Sequence, residues 1–198
     1  MTSLEWQSAD LFEVDQLIRP IANLYRITTH GTPVAFVRQK RLAIKEDIRF
    51  FAREDETDEL FRIKARGMME IGGRYDVTTP SGEAIGVLEK VFGKSLLRST
   101  WRIRGPHDEV VAVAQERSLP IALLRRAIDL VPYGELVPIL FHFTIDGDEP
   151  ERPHSGDFTR AWGLRDRYTL DLSADTDGRL DRRLAIALAI ALDALQSR

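Results

Sequence analysis

Along most of the chain apolar and polar residues alternate with a period of two. In Leu60 to Arg66, LFRIKAR, the side chains of Phe61, Ile63 and Ala65 fall on one side and those of Arg62, Lys64 and Arg66 on the other, as a strand with one wet face requires. Ser99 to Arg104 repeats the device, with Trp101 and Ile103 opposed to Thr100, Arg102 and Arg104. Strand-like segments also occur near 22–29, 33–38, 47–53, 74–79, 84–92, 109–117, 137–145 and 167–173. Turn chemistry separates many of them, at His30-Gly31, Pro80-Ser81-Gly82, Gly93-Lys94-Ser95, Gly105-Pro106 and Asp146-Gly147. Residues 1–20 show only an apolar scatter (Leu4, Trp6, Leu11, Phe12, Leu17, Ile18) and are expected to form a loosely packed arm able to cover a sheet edge, with residues 21–198 as one domain.

Two segments break the period. Ser118 to Val131, SLPIALLRRAIDLV, has a cap candidate, an early Pro120 and a stripe of Ile121, Leu124, Ile128 and Val131, and predicts an amphipathic helix stopped by Pro132. The second helix, about Leu180 to Gln196, contains LAIALAIAL from Leu184 to Leu192 and is apolar on every face there. Packed on one side of a sheet it would leave its other sides wet, so it needs walls all round. A barrel of about eight strands fills its interior with side chains, whereas one of about eleven can hold a helix along its axis. Burying Leu184, Ile186, Leu188, Ile190 and Leu192 stabilises such a closed form by about 1.5–3 kcal/mol each, and the alternating alanines let the wall come close. The fold expected is mainly β: a closed antiparallel barrel of roughly a dozen strands enclosing a C-terminal hydrophobic helix, with an extra helix near 118–131.

Three features carry a resemblance to a known family. They are Gly73-Arg74-Tyr75-Asp76-Val77 followed by a turn at Ser81-Gly82, a strand turning into Leu97-Arg98-Ser99-Thr100-Trp101, and Tyr168 to Leu172 before the apolar helix that ends in Leu192-Asp193-Ala194-Leu195. With these the chain resembles the LURP-one-related proteins of the tubby C-terminal-like superfamily, which also holds the phospholipid scramblases. The resemblance implies the same helix-filled barrel and gives Gly73, Tyr75, Asp76, Gly82, Trp101, Leu184, Leu188 and Leu192 structural roles. The segment 118–131 and the polar stretch Asp146 to Arg160, DGDEPERPHSGDFTR, read as insertions against that pattern.

Composition adds little beyond exclusions. With 43% apolar and 30% charged residues and a net charge of −3, the chain has no global field to attract nucleic acid. No cysteine occurs, which rules out disulfides and thiolate chemistry and fits the cytoplasm. The N-terminus carries acidic residues where a signal peptide would be basic, and the nine-residue apolar run is far short of the ~20 a spanning helix needs.

Candidate chemistry is sparse. FGKS at Phe92 to Ser95 ends like a phosphate loop, but the required glycine position holds Leu88, Gly86 lies two residues early, and a strand rather than a helix is expected next; a hairpin turn is the better reading. Asp175, Asp177 and Asp181 have the rhythm of a weak calcium loop, although Leu184 stands where a bidentate Glu belongs; as a plainer alternative they cap the helix. The four histidines show no metal-ligand spacing, no nucleophile elbow occurs, and no cofactor is expected, so the chain reads as non-enzymatic. Arg49, Arg53, Arg62, Lys64, Arg66, Arg102 and Arg104, with Arg38, Lys40 and Arg41 near in sequence, could merge into one basic face for phosphate oxygens if their strands are neighbours, or serve only as a solvated face. By resemblance to tubby-like proteins the ligand would be an anionic lipid headgroup met at the membrane periphery. A protein partner, a scramblase-like lipid-handling role and an unrecognised enzyme are the alternatives.

Overall fold

The computed structural model describes residues 5–18, 22–40, 47–67, 73–91, 99–117, 142–147, 154–161 and 167–195. Among them the alternating segments form twelve strands: β1 (Leu11–Ile18), β2 (Ala22–Thr29), β3 (Thr32–Lys40), β4 (Asp47–Phe51), β5 (Glu59–Ala65), β6 (Arg74–Thr78), β7 (Ala84–Lys90), β8 (Thr100–Arg104), β9 (Val110–Glu116), β10 (His142–Asp146), β11 (His154–Arg160) and β12 (Arg167–Asp171). Each pairs antiparallel with the next, and β1 pairs with both β2 and β12, so the sheet closes into the expected barrel. The register carries a ring of inward residues round the wall, for instance Val14↔Ile27, Val37↔Phe50, Phe50↔Phe61, Ile63↔Val77, Leu88↔Ile103 and Phe143↔Phe158. Phe50 and Phe61 stack with centroids 4.1 Å apart, and both are fully buried. Between β2 and β3, His30 and Gly31 both take positive φ (47° and 76°), the two-residue hairpin turn whose twist suits the flanking strands.

The bore is filled by α1 (Arg182–Ala194), 13 residues or about 20 Å long. Eleven of the thirteen are buried, Leu184, Leu188 and Leu192 to 2%, 0% and 0% exposure. Gly86 in β7 shows why the wall can approach so closely: a Cβ there would stand 2.2 Å from the Arg104 carbonyl oxygen and 2.9 Å from Leu184 Cδ1.

Both ends of α1 are tied by polar groups. At its start Asp181 caps the helix by accepting from the Arg183 N–H at 2.8 Å. The buried Arg182 guanidinium meets Asp175 at 2.5 Å and donates to the carbonyls of Leu180 (3.0 Å) and Ala9 (2.8 Å). At its end the Asp193 carboxylate accepts from the hydroxyl of Tyr25 at 2.7 Å and from that of Tyr168.

Two expectations change. Residues 11–18, read as part of an arm, are the strand that closes the barrel, with Phe12 and Val14 buried inside. A short 3-10 turn, Glu5–Ser8, precedes it, and Trp6 packs at 6.2 Å from Phe61. The stretch 146–160, read as an insertion, contains β11, without which β10 and β12 would lose their common neighbour. Its inward positions are Gly156 and Phe158, and glycine gives no apolar signal; a Cβ at Gly156 would lie 2.2 Å from the Asp171 carbonyl oxygen. The helix expected over 118–131, the FGKS corner and Arg41 lie outside the described residues.

Candidate functional site

The outward cations fall on neighbouring strands, as the alternation requires, but each meets a different setting. Arg38, Arg49 and Arg62 stand opposite one another across β3, β4 and β5. Carboxylates interleave with them: Glu56 is 2.7 Å from Arg38, Asp47 is 2.9 Å from Arg49, and Glu59 lies 2.5 Å from Arg62 and 3.9 Å from Arg49. Three guanidiniums and three carboxylates leave this row without net charge, around a shallow cavity of about 260 Å³ lined by Arg38, Asp47, Arg49, Phe51 and Glu56. Next along the wall, Arg66 binds Asp76 at 2.8 Å, and exposed Lys64 lies in register between Asp47 and Asp76.

A second cluster centres on Glu89 of β7, which faces Arg104 at 2.8 Å, Arg74 at 3.4 Å and Arg102 at 4.0 Å. Burial alone would raise the Glu89 carboxyl, but the Arg104 hydrogen bond and charge, with those of Arg74, outweigh it and hold the group below the usual range. Arg53 sits exposed in the turn after β4. The cations that the sequence offered as one basic face or as a solvated one therefore form a mosaic of ion pairs in two clusters, with Lys64, Arg66 and Asp76 between them. Opposite-charge neighbours were supplied by cross-strand register and by turn residues, neither of which alternation reveals.

At the rim where α1 begins, a cavity of about 280 Å³ opens between the strand ends and the loop before the helix. Glu109, Gly147, His154, Ser155, Asp177 and Arg179 line it, with Asp175 beneath. Beside it runs a chain of four side chains that no spacing along the chain would group. Asp146 Oδ1 is 2.8 Å from His154 Nδ1, His154 Nε2 is 2.9 Å from Asp157 Oδ2, and Asp157 Oδ1 is 2.5 Å from His142 Nε2. His142 and Asp146 lie on β10 and His154 and Asp157 on β11, so only the pairing of these strands assembles them. The Asp146 hydrogen bond is the main influence that raises the His154 imidazole above its ordinary value, helped by Asp157. The Asp157 carboxyl, which burial pushes up, is pulled below its ordinary value by hydrogen bonds from His142 and His154.

The three aspartates with calcium-loop rhythm are each engaged by the chain itself. Asp175 accepts from the backbone N–H groups of Arg179 and Leu180 besides pairing with Arg182, Asp177 pairs with Arg179 at 2.8 Å, and Asp181 pairs with Arg183 at 2.6 Å. Among the described residues no group of three or more His, Cys, Asp or Glu side chains is placed to hold a metal ion. Burial raises the Asp181 carboxyl, but hydrogen bonds from Arg183 prevail and lower it. Trp101 is fully buried with Tyr75 5.9 Å away, Asp76 holds Arg66, and Gly82 takes a φ of 92° in the turn between β6 and β7. Gly73 lies against its near neighbour: a Cβ there would meet the Tyr75 ring at 3.1 Å.

A family model described as LURP-one-related matches residues 34–193, from β3 to the last turn of α1. The chain belongs to the LURP-one-related family. No curated protein and no solved structure matches it. In this LURP-one-related chain the matched span leaves out β1 and β2, yet the barrel closes only through them.

Proposed function

We propose that the protein is a non-enzymatic binding module that works through the outer wall of its barrel, and that the Arg38–Arg49–Arg62 row is where it meets an anionic phospholipid headgroup. One observation carries the choice of surface: α1 occupies the bore, so a partner must be met on the wall or at a rim. The same observation weighs against a scramblase-like role for the C-terminal helix, whose apolar faces are already covered; no helix among the described residues is long and apolar enough to cross a membrane. Guanidiniums three abreast suit phosphate oxygens, which they can grip in pairs. Because each already has a carboxylate, a headgroup has to exchange partners with it, and binding is weak and salt-sensitive.

Vesicle flotation tests this. Vesicles carrying phosphatidylinositol 4,5-bisphosphate should retain the protein at low ionic strength, phosphatidylcholine vesicles should not, and the double variant Arg49→Ala, Arg62→Ala should lose retention. If the wild-type protein fails to float with the phosphoinositide at low salt, the lipid reading is wrong and the wall serves a protein partner.

A further inference from the structure

His154 has a carboxylate on each ring nitrogen, Asp146 at 2.8 Å and Asp157 at 2.9 Å. A neutral imidazole has one N–H and one lone pair, so whichever tautomer forms, one carboxylate would face a lone pair. Only the imidazolium donates to both. Its two partners sit on different strands, Asp146 at the end of β10 and Asp157 within β11, so the protonated ring is a cross-link between them. Asp157 is shared with His142 of β10, which adds a second link between the same strands. We propose that Asp146, His154, Asp157 and His142 form a proton-operated clamp across β10 and β11 that sets the shape and charge of the adjoining rim cavity.

The surroundings favour the charged ring. From β12, Asp171 lies in register with Asp157 and adds negative charge, although its own carboxylate accepts from the Ser173 N–H. From β9 come Val113 and Gln115 opposite Asp146 and Thr144, both uncharged. Across the cavity stand Glu109, Asp177 and Arg179, the last two paired with each other, and Asp175 is bound by Arg182. The raised imidazole of His154 agrees with this geometry. The linkage has a definite sign: a group whose folded value is raised contributes stability that is fully present below its ordinary value and is lost as pH rises through the folded one. Loss of the proton also removes one positive charge from the cavity lining, because His154 is part of it. Raising pH therefore loosens the hairpin end and makes the rim more negative in one step. The clamp is independent of the headgroup reading, since it lies on β10 and β11 and the Arg row on β3 to β5.

The test is an NMR titration of the histidine ring protons in the full chain, alongside backbone amides of Gly147, Ser155 and Asp177. In the wild type His154 should titrate above the ordinary histidine value, and the three amides should move with the same midpoint. Asp146→Asn, a half-exposed site that the fold should tolerate, should lower that midpoint, and Asp157→Asn should lower it too. The stability difference between wild type and His154→Asn should shrink as pH rises through the midpoint. A His154 midpoint at or below the ordinary value, no response to Asp146→Asn, or amides that do not follow the ring would overturn the clamp.

Discussion

Ala185, Ala187, Ala189 and Ala191 are 0%, 0%, 1% and 0% exposed, and together they probe whether α1 has walls on every side. At about 100° per residue, neighbours two apart point about 200° apart, so Ala185 and Ala189 face one way and Ala187 and Ala191 nearly the opposite way. Replacing each by Leu in turn adds a branched side chain without a large change in helix propensity, so the response reports packing. An enclosed helix should lose about 1–3 kcal/mol at all four positions, the usual penalty of overpacking, while a side facing water would change by less than about 0.5 kcal/mol. In urea, with a slope of about 2 kcal/mol/M, a loss of about 2 kcal/mol lowers the unfolding midpoint by roughly 1 M. The measurement is the midpoint of each variant at unchanged slope. If one opposed pair stays near wild type while the other falls, α1 lies against a single wall and the enclosed-helix reasoning fails.

Gly86→Ala should destabilise by about 1–3 kcal/mol because the added carbon meets the Arg104 carbonyl oxygen at 2.2 Å; this outweighs the ~0.5–1 kcal/mol gained by removing a strand glycine, and equal urea midpoints would contradict it. Arg182→Ala strips the buried Asp175 of its partner and should lose about 3–5 kcal/mol, with part of the loss recovered in the same assay by Arg182→Met, Asp175→Asn, which removes the buried charge and keeps an oxygen to accept from the Arg179 or Leu180 N–H. Asp181→Ala removes the α1 cap and should lower stability by about 0.5–2 kcal/mol at neutral pH. Since the Asp181 carboxyl is lowered in the fold, its contribution is present above the ordinary carboxyl range and vanishes as pH falls through the folded value, so wild type and variant should converge in acid denaturation curves.

How much of this was legible in the residues depends on what each side chain had to say by itself. The enclosed helix was legible because LAIALAIAL has no polar side to spare, and a helix without a wettable face has few places to go. Most strands were legible because apolar residues occupy their inward positions. β11 was not, since one of its two buried positions is a glycine chosen for close backbone approach, and β1 was masked by the scatter of its apolar residues among acids. The cations were legible as outward residues, but their partners were not. Glu56 reaches Arg38 from the turn after β4, and Glu89 draws in guanidiniums from β6 and β8. The His–Asp chain was hidden for the same reason, because His142 and His154 meet a common carboxylate only through the β10–β11 register.

The two candidate surfaces differ in how firmly they are tied to the fold. On the wall the Arg62–Glu59 pair is the more enclosed, at 20% and 15% exposure, whereas Arg38 and Arg49 retain 45% and 43%, and pairs as solvated as theirs contribute about 0–1 kcal/mol each. Exchanging a carboxylate there for a ligand oxygen leaves the barrel almost as stable as before, which suits a surface that must bind and release. The rim is different. Asp175 lies beneath its cavity, and that same side chain holds Arg182 in the first turn of α1 at 4% and 6% exposure, where a lost partner leaves a buried charge. The rim cavity thus shares a buried side chain with the end of the helix that fills the bore, whereas the cavity on the wall is lined by residues of β3, β4 and the turn that follows.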